Sequence, residues 1–172
     1  PENRLGMVAS RLDQTLPVGN ECAGTVISTG ESESAKALDG KLVSIMPGAS
    51  FAQYACVPAA TCLLHNDKTT PQRAASSFVN PLTALCFLET MRMENHTGLL
   101  HTAAASNLGQ MLVRLCAAEN VPLVNIVRSE EQAATLRALG AKHICNSADS
   151  DFIDKLTETL IETGITLGFD AI

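Results

Sequence analysis

The pattern of apolar and polar residues differs between the two halves of the chain. In the second half, short apolar runs alternate with segments in which apolar residues recur every three or four positions. This alternation predicts helices at about residues 130–139 and 151–163 and strands at residues 98–102, 143–146 and 165–172. Strands that alternate with helices are typical of a parallel sheet, so this half is expected to have an α/β fold.

The predicted boundaries of these helices carry residue types that begin and end helices. Ser129 and Gln132 have the spacing of a capping box, in which the two side chains satisfy the first backbone N–H groups of a helix. Gly140 stands where a helix would stop, and Asp149 or Ser150 is expected to cap the next one. The boundaries therefore rest on local chemistry as well as on hydrophobicity.

The first ninety or so residues have short apolar runs separated by Gly, Pro, Ser and charged residues. This pattern predicts a small β-rich domain, with strands near residues 24–28, 41–46, 51–57 and 61–64. Thr70 and Pro71 are expected to begin one helix, and Pro81 a second that runs to about residue 93. Residues 95–98 are the predicted hinge between the halves.

The most informative segment is residues 98–128, GLLHTAAASNLGQMLVRLCAAENVPLVNIVR, which predicts strand, tight turn, helix, strand and then a cation. A turn of small residues before a helix aims backbone N–H groups and the positive end of the helix dipole at an anion. In place of the three glycines of a G-x-G-x-x-G turn, the chain has Ala103, Ser106 and Gly109 at three-residue steps, so the first step is one residue longer than in that pattern. A small-residue turn of some other α/β protein is the alternative.

Each residue of this turn suits a phosphate in a different way. Gly109 allows close packing of the helix on the strand, Asn107 tolerates positive φ, and Ser106 offers a hydroxyl as well as its N–H. We therefore predict cofactor contacts from Ala104, Ala105, Ser106, Asn107, Leu108 and Gly109.

Several further segments carry a family resemblance: GNECAGTV at 19–26, GKLVSIM at 40–46, FAQYACVPA at 51–59, NPLTAL at 80–85 and HTAAASNLGQ at 101–110. In this order and spacing they resemble the medium-chain dehydrogenase/reductase superfamily, and within it the zinc-independent quinone oxidoreductases. The resemblance implies a GroES-like β domain followed by a Rossmann domain, and reduction of a conjugated carbonyl with NADPH. It implies a partial GroES-like domain with connecting helices at 1–95 and the first part of a Rossmann domain at 96–172. Family members are usually much longer, so the chain is expected to be a fragment.

The composition narrows the classes of partner and the compartment. A net charge of −6, no basic cluster and no apolar run long enough for a bilayer argue against nucleic-acid and membrane partners. The six cysteines lie in or beside apolar segments without C-x-x-C spacing, so we expect reduced thiols, with disulfides as the alternative. No signal peptide is recognisable, and a cytoplasmic protein is expected.

Many members of the medium-chain dehydrogenase/reductase superfamily, which this sequence resembles, bind zinc through the His of a Gly-His-Glu motif. Here the motif is Gly19, Asn20 and Glu21, and an asparagine amide is a poor zinc ligand beside imidazole or thiolate. Cys22 cannot join Glu21 as a substitute pair, since adjacent strand residues point to opposite faces. We therefore expect no metal site.

Without zinc, the expected chemistry is hydride transfer to the electron-poor double bond of a quinone or α,β-unsaturated carbonyl, in which the cofactor carries the reaction. The proton donor is not identified, and the catalytic residues stay unknown. Tyr54, the single tyrosine, is a candidate, but a packing role is favoured for it. His101 adjoins the cofactor strand, where a lone histidine is more often structural.

The resemblance places Asn80 and Thr83 at the nicotinamide end of the cofactor, since the L-T-A segment of the family lies there. The alternative is that Asn80 merely caps a helix whose first residue is Pro81, and both roles are compatible.

The expected preference for NADPH or NADH depends on the residues at the end of the second strand in the α/β half. An NAD enzyme usually places an acidic side chain there to hold the ribose hydroxyls, whereas this chain has Arg128 followed by Ser129. A guanidinium suits the 2′-phosphate, so NADPH is favoured over NADH. Glu130 and Glu131 are alternative ribose ligands, although the helix dipole also explains acidic residues in a first turn.

Two functions of different classes remain open. The first is an NADPH-dependent reductase of quinones or enones, for which the resemblance is compatible with a homodimer. The second is a cofactor-binding or assembly module of the same fold that has no catalytic activity. The missing glycines of the turn, the missing metal ligand and the lack of a clear proton donor favour this second function.

Overall fold

The structure is a computed structural model that describes residues 18–172. Its contacts divide the chain into two compact units, one ending at Val79 and the other spanning Asn80–Ile172. Part of the first predicted domain, residues 1–17, lies outside the described residues. The domain boundary expected between residues 95 and 96 remains a prediction.

The first unit contains a three-stranded antiparallel sheet in the order β1-β2-β3. Its strands are β1 (Cys22–Thr25), β2 (Leu42–Ile45) and β3 (Leu63–Leu64). Two short helices, α1 (Glu33–Lys36) and α2 (Pro71–Ala74), and a 3-10 turn at Ala59–Thr61 accompany them. The Thr70 hydroxyl accepts a hydrogen bond from the Arg73 N–H at 3.3 Å, which confirms the predicted cap of α2.

The strand predicted at residues 51–57 is wrong. The N–H groups of Ser50 and Phe51 donate to the carbonyls of Gly19 and Val18, and the residues that follow pair with no strand among residues 18–172. A short apolar run forms a strand only where a neighbouring strand satisfies its backbone hydrogen-bonding groups. Phe51 and Tyr54 are 83% and 76% exposed, so the packing role favoured for Tyr54 is also wrong.

The second unit is built on a parallel four-stranded sheet in the order β6-β5-β4-β7. Its strands are β4 (Leu99–His101), β5 (Leu123–Val127), β6 (His143–Asn146) and β7 (Leu167–Phe169). The chain enters it through α3 (Val79–Met93), and the crossover helices are α4 (Asn107–Ala118), α5 (Glu130–Ala138) and α6 (Phe152–Thr163). The predicted α/β fold with a parallel sheet is thus confirmed, and β6 has the predicted bounds.

Two apolar clusters fix this sheet between helices. The larger contains the fully buried Leu88 of α3, Leu112 of α4 and Leu136 of α5, which pack with Leu99 of β4. Burying each such side chain stabilises the fold by about 1.5–3 kcal/mol. The smaller cluster centres on Val124, Cys145 and Ile165, against which three side chains of α6 pack: Phe152, Leu156 and Leu160.

The caps of the second unit agree with the sequence in two cases and differ in one. The Ser129 hydroxyl accepts from the Gln132 N–H at 3.3 Å, and Gly140 follows α5 with a φ of +89°. The cap predicted at Asp149 or Ser150 is wrong, because the N-cap position is Asp151, whose side chain makes no capping hydrogen bond to any described residue. The Asp149 carboxylate instead binds the Lys155 ammonium at 3.3 Å, a charge-assisted bond.

No helix of the described part of the chain is both long and apolar enough to cross a membrane.

Candidate functional site

The segment between β4 and α4, residues 102–106, is here called the phosphate turn. Ala103 has a φ of +50°, in the left-handed region, and its carbonyl accepts the Ser106 N–H at 2.9 Å. Ser106 is the N-cap of α4, and its hydroxyl accepts the Gly109 N–H at 3.1 Å. The predicted strand, tight turn and helix are therefore present in this order.

The first turn of α4 leaves two donors available. The N–H groups of Asn107 and Leu108 have no acceptor within the helix, as expected for its first residues, and none elsewhere among residues 18–172. Ser106 and Asn107 are exposed, so an anion can reach this end of the helix. Two free N–H groups and the positive end of the helix dipole form the kind of site that binds phosphate.

Gly109 allows α4 to lie directly against the phosphate turn. A Cβ at this position would stand 2.8 Å from the Ala104 Cα and 2.6 Å from its carbonyl carbon, and closer still to its oxygen. Real Cβ atoms essentially never approach backbone atoms within 3.0 Å, so no larger residue fits without movement. This is the close approach that the sequence predicts for this glycine.

The other small residues of the turn serve its architecture. Ala104 is fully buried, and its N–H donates to the Ile126 carbonyl of β5 at 3.2 Å. The Ala105 carbonyl accepts from the Gln110 amide at 3.0 Å. Both residues thus hold the turn in place, and their predicted contacts with a cofactor stay predictions.

Arg128 directly follows β5, and its side chain is exposed. Its guanidinium has no hydrogen bond or ion pair with any residue that the structure describes, while its N–H donates to the Gln132 side chain at 2.9 Å. Glu130 pairs with Arg137 instead, and this pairing holds the pKa of the Glu130 carboxyl below its ordinary value. The end of β5 therefore presents a cation that is unpaired within the described part of the chain.

Ser129 adds a donor beside that cation. Its hydroxyl oxygen accepts the Gln132 N–H, so the hydroxyl proton remains available to a ligand. The Gln132 side chain departs from the usual capping box, because it accepts from the N–H of Arg128 rather than of Ser129.

His101 and Asn125 form a buried polar pair at the register position where β4 meets β5. His101 Nε2 lies 2.7 Å from Asn125 Oδ1, and both residues are at most 3% exposed. The Asn125 amide donates to the carbonyls of His143 and Leu123, so its oxygen accepts and the histidine donates. Burial lowers the pKa of His101 and favours its neutral form, in keeping with the structural role expected for it. The partner, a single Asn in the apolar run LVNIV, was missed in the sequence.

A second polar contact missed in the sequence joins the start of the phosphate turn to the end of β7. The Thr102 hydroxyl donates to Asp170 Oδ1 at 2.6 Å and accepts the Ala171 N–H at 2.8 Å. The only sequence signal was a polar residue directly after each of two strands.

Asn80 and Thr83 lie in the first two turns of α3. The helix begins at Val79 rather than Pro81, so the interpretation of Asn80 as its cap is wrong. The Val79 N–H donates to Glu21 Oε2 at 2.9 Å, and a carboxylate stabilises a helix start. Pro81 remains within the first turn, where its missing N–H costs no hydrogen bond. Nicotinamide contacts from Asn80 and Thr83 stay a prediction.

The potential metal ligands and the cysteines are scattered over the described residues. Within residues 18–172, no three His, Cys, Asp or Glu side chains are close enough together to hold a metal ion. Asn20 is exposed, and its carbonyl accepts the Gly48 N–H at 3.4 Å. All six cysteines are free thiols.

Comparison with known proteins identifies relatives that are longer than this chain. It is 30% identical to mouse prostaglandin reductase-3 over 143 residues, covering 80% of this chain and 37% of that protein. It is 28% identical to a probable quinone oxidoreductase of Leishmania amazonensis over 159 residues, covering 90% of this chain and 45% of that protein. The chain thus spans less than half the length of both relatives. No protein-family model matches it.

Solved structures give the same fold. A Mesorhizobium loti protein described as a putative NADPH:quinone reductase superposes with a TM-score of 0.83 at 32% identity, over 92% of this chain and 47% of that one. A mycobacterial protein complexed with NADPH superposes with a TM-score of 0.76 at 22% identity, over 94% of this chain and 52% of that one.

These neighbours combine a GroES-like domain with a Rossmann domain. The chain therefore belongs to the medium-chain dehydrogenase/reductase superfamily, among its quinone-oxidoreductase-like members.

Proposed function

We propose that the protein binds NADPH and transfers its hydride to a quinone or enone-type acceptor without zinc. One observation carries the proposal: the second unit holds N–H groups at the start of α4 and a guanidinium at the end of β5 that have no partner among residues 18–172. The hydrogen bond from Ala104 to Ile126 joins the phosphate turn to β5, two residues before Arg128. A dinucleotide needs these two anion sites at neighbouring strand ends.

In this proposal, the protein binds and orients the cofactor, and NADPH supplies the hydride. The N–H groups of Asn107 and Leu108, with the Ser106 hydroxyl, hold the pyrophosphate, and Gly109 permits its close approach. Arg128 and Ser129 hold the 2′-phosphate, a geometry that a guanidinium and a hydroxyl donor suit.

Further parts of the proposal are supported only by membership of the family. Asn80 and Thr83 contact the nicotinamide side, residues 1–95 form part of the GroES-like domain, and residues 96–172 form part of the Rossmann domain. The proton donor is left unassigned. We further propose a small-molecule acceptor, a cytoplasmic location and a homodimeric protein.

The names of the related proteins support the proposal that this protein is a reductase. They include a quinone oxidoreductase, a prostaglandin reductase and an enoyl reductase. Zinc independence rests on Asn20, since its amide replaces the imidazole expected of a zinc-binding member.

The test is oxidation of NADPH by the purified protein, followed by absorbance with a panel of quinones and enones. Turnover of at least one acceptor, with NADPH preferred over NADH, supports the proposal. Tight NADPH binding without turnover of any acceptor would favour the noncatalytic module. Absence of NADPH binding would refute both.

A further inference from the structure

We propose that Thr102 and Asp170 are positioning residues that hold the phosphate turn in the conformation that binds pyrophosphate. This inference rests on the proposed NADPH site. Thr102 is not proposed as a contact to a phosphate, because its hydroxyl already donates its one proton to Asp170 and accepts the Ala171 N–H.

The need for positioning arises at Ala103. Its φ of +50° lies in the left-handed region, which a residue with a Cβ rarely adopts unless its surroundings impose it. The conformation matters for the ligand, because Ala103 redirects the chain from β4 into the helix whose first N–H groups face the anion site.

Hydrogen bonds to two different strands fix the chain on both sides of Ala103. Before it, the Thr102 N–H donates to the Phe169 carbonyl of β7 at 3.1 Å. After it, the Ala104 N–H donates to the Ile126 carbonyl of β5 at 3.2 Å. The two flanking peptide groups are therefore held to opposite neighbours of β4.

The side chain of Thr102 strengthens the hold on the β7 side. Its hydroxyl donates to Asp170 Oδ1 at 2.6 Å, and the same oxygen accepts the Ile172 N–H at 3.2 Å. These two bonds lower the pKa of Asp170, so the acceptor is an ionised carboxylate near neutral pH. A hydrogen bond to a charged acceptor is roughly twice as strong as a neutral one.

The position of this contact in the sheet connects it with the ligand. The strand order reverses between β4 and β7, since the chain adds β5 and β6 on one side of β4 and then returns to the other. Ligands of open α/β sheets bind at such a switch point, outside the carboxyl ends of the strands. Thr102 and Asp170 directly follow the two strands that flank it.

The experiment compares Thr102→Val, which keeps the shape and removes the hydroxyl, with Thr102→Ser, which keeps the hydroxyl. Calorimetry measures binding of NADPH and of adenosine 2′-monophosphate, which lacks the pyrophosphate. We expect Thr102→Val to bind NADPH about tenfold more weakly and Thr102→Ser within about threefold of wild type. Adenosine 2′-monophosphate should bind equally to all three proteins, because its phosphate belongs to the Arg128 site.

A rescue variant separates positioning from a general structural role. Glycine adopts positive φ without strain, so Ala103→Gly added to Thr102→Val should recover most of the lost NADPH affinity. Asp170→Asn keeps an acceptor oxygen without its charge and should lose only part of the NADPH affinity, whereas Asp170→Ala should lose about as much as Thr102→Val. The Asp170 pair keeps the test decisive if Thr102→Val does not fold, because Asp170 is exposed.

The outcomes distinguish this inference from the proposed function. Wild-type protein that binds no NADPH refutes the proposed function and the inference with it. Wild-type binding that Thr102→Val and Asp170→Ala leave unchanged refutes only the inference. Equal loss of both ligands, or no rescue by Ala103→Gly, also overturns it, because either result indicates a general loss of structure.

Discussion

Replacing Gly109 by alanine tests the close packing of α4 on the phosphate turn. In an unhindered helix the change would stabilise the fold by about 0.5–1 kcal/mol, because glycine loses more conformational freedom. Here the new Cβ would lie 2.6 Å from the carbonyl carbon of Ala104, which is backbone and cannot rotate away. Overpacking costs about 1–3 kcal/mol, and a backbone obstacle argues for the upper end. We expect a net loss of about 2 kcal/mol.

Urea unfolding followed by circular dichroism gives this loss, and calorimetry with NADPH gives the accompanying loss of affinity. Gly24→Ala is the control for adding a methyl group to a glycine. A Cβ there meets no atom of residues 18–172 within 4 Å, and its φ is not in the left-handed region. Ser106→Gly is the control within the turn for stability alone, because glycine at an N-cap costs only a few tenths of a kcal/mol relative to serine. It is no control for affinity, because the Ser106 hydroxyl belongs to the proposed pyrophosphate site. Stability and affinity of Gly109→Ala equal to wild type would refute the close approach and leave this turn without its predicted role.

Three further predictions concern charge, metal and pH. Arg128→Ala should weaken NADPH binding about ten- to a hundredfold and NADH binding little. The control is Arg137→Ala, which removes an arginine already paired with Glu130 and should leave the binding of both cofactors unchanged. Equal losses for NADPH and NADH in the Arg128 variant would place the 2′-phosphate elsewhere. Because Asn20 stands where a zinc ligand is expected, elemental analysis should find no stoichiometric zinc, and any reductase activity should persist in chelator; one zinc per chain contradicts this. Burial lowers the pKa of His101 in the folded protein. Below pH 6.5, the ordinary pKa of histidine, the unfolded chain therefore binds a proton that the folded chain does not. The free energy of unfolding should fall as the pH falls from about 7 to about 5. His101→Gln should show a shallower decline over the same range by urea unfolding, and an identical decline would assign the effect to other groups.

The elements of the α/β half could be predicted because their signals are local. Ser129 and Gly140 mark the ends of α5 by the hydrogen bond that one makes and the φ that the other adopts. Gly109 was likewise identified from its place in the turn. Such features depend on a few neighbouring residues, so the sequence carries them directly.

The errors arise where distant residues decide the local structure. α3 begins at Val79, whose N–H donates to the carboxylate of Glu21, 58 positions earlier. Residues 51–57 have the pattern of a strand but no partner among the described residues, and Asp149 pairs with Lys155 instead of capping α6. Thr102 and Asp170 were missed for the same reason, since nothing local links them.

The separation of those two residues also has a kinetic consequence. The pair His101 and Asn125 joins β4 to β5 across 24 positions, whereas Thr102 and Asp170 join β4 to β7 across 68. Closing the longer loop costs more entropy, so we expect β4, β5 and β6 to associate first and β7 to dock late. The phosphate turn then acquires its Thr102 contact only in the last step of folding. A ligand that needs this turn cannot accelerate folding, and NADPH should act by slowing unfolding.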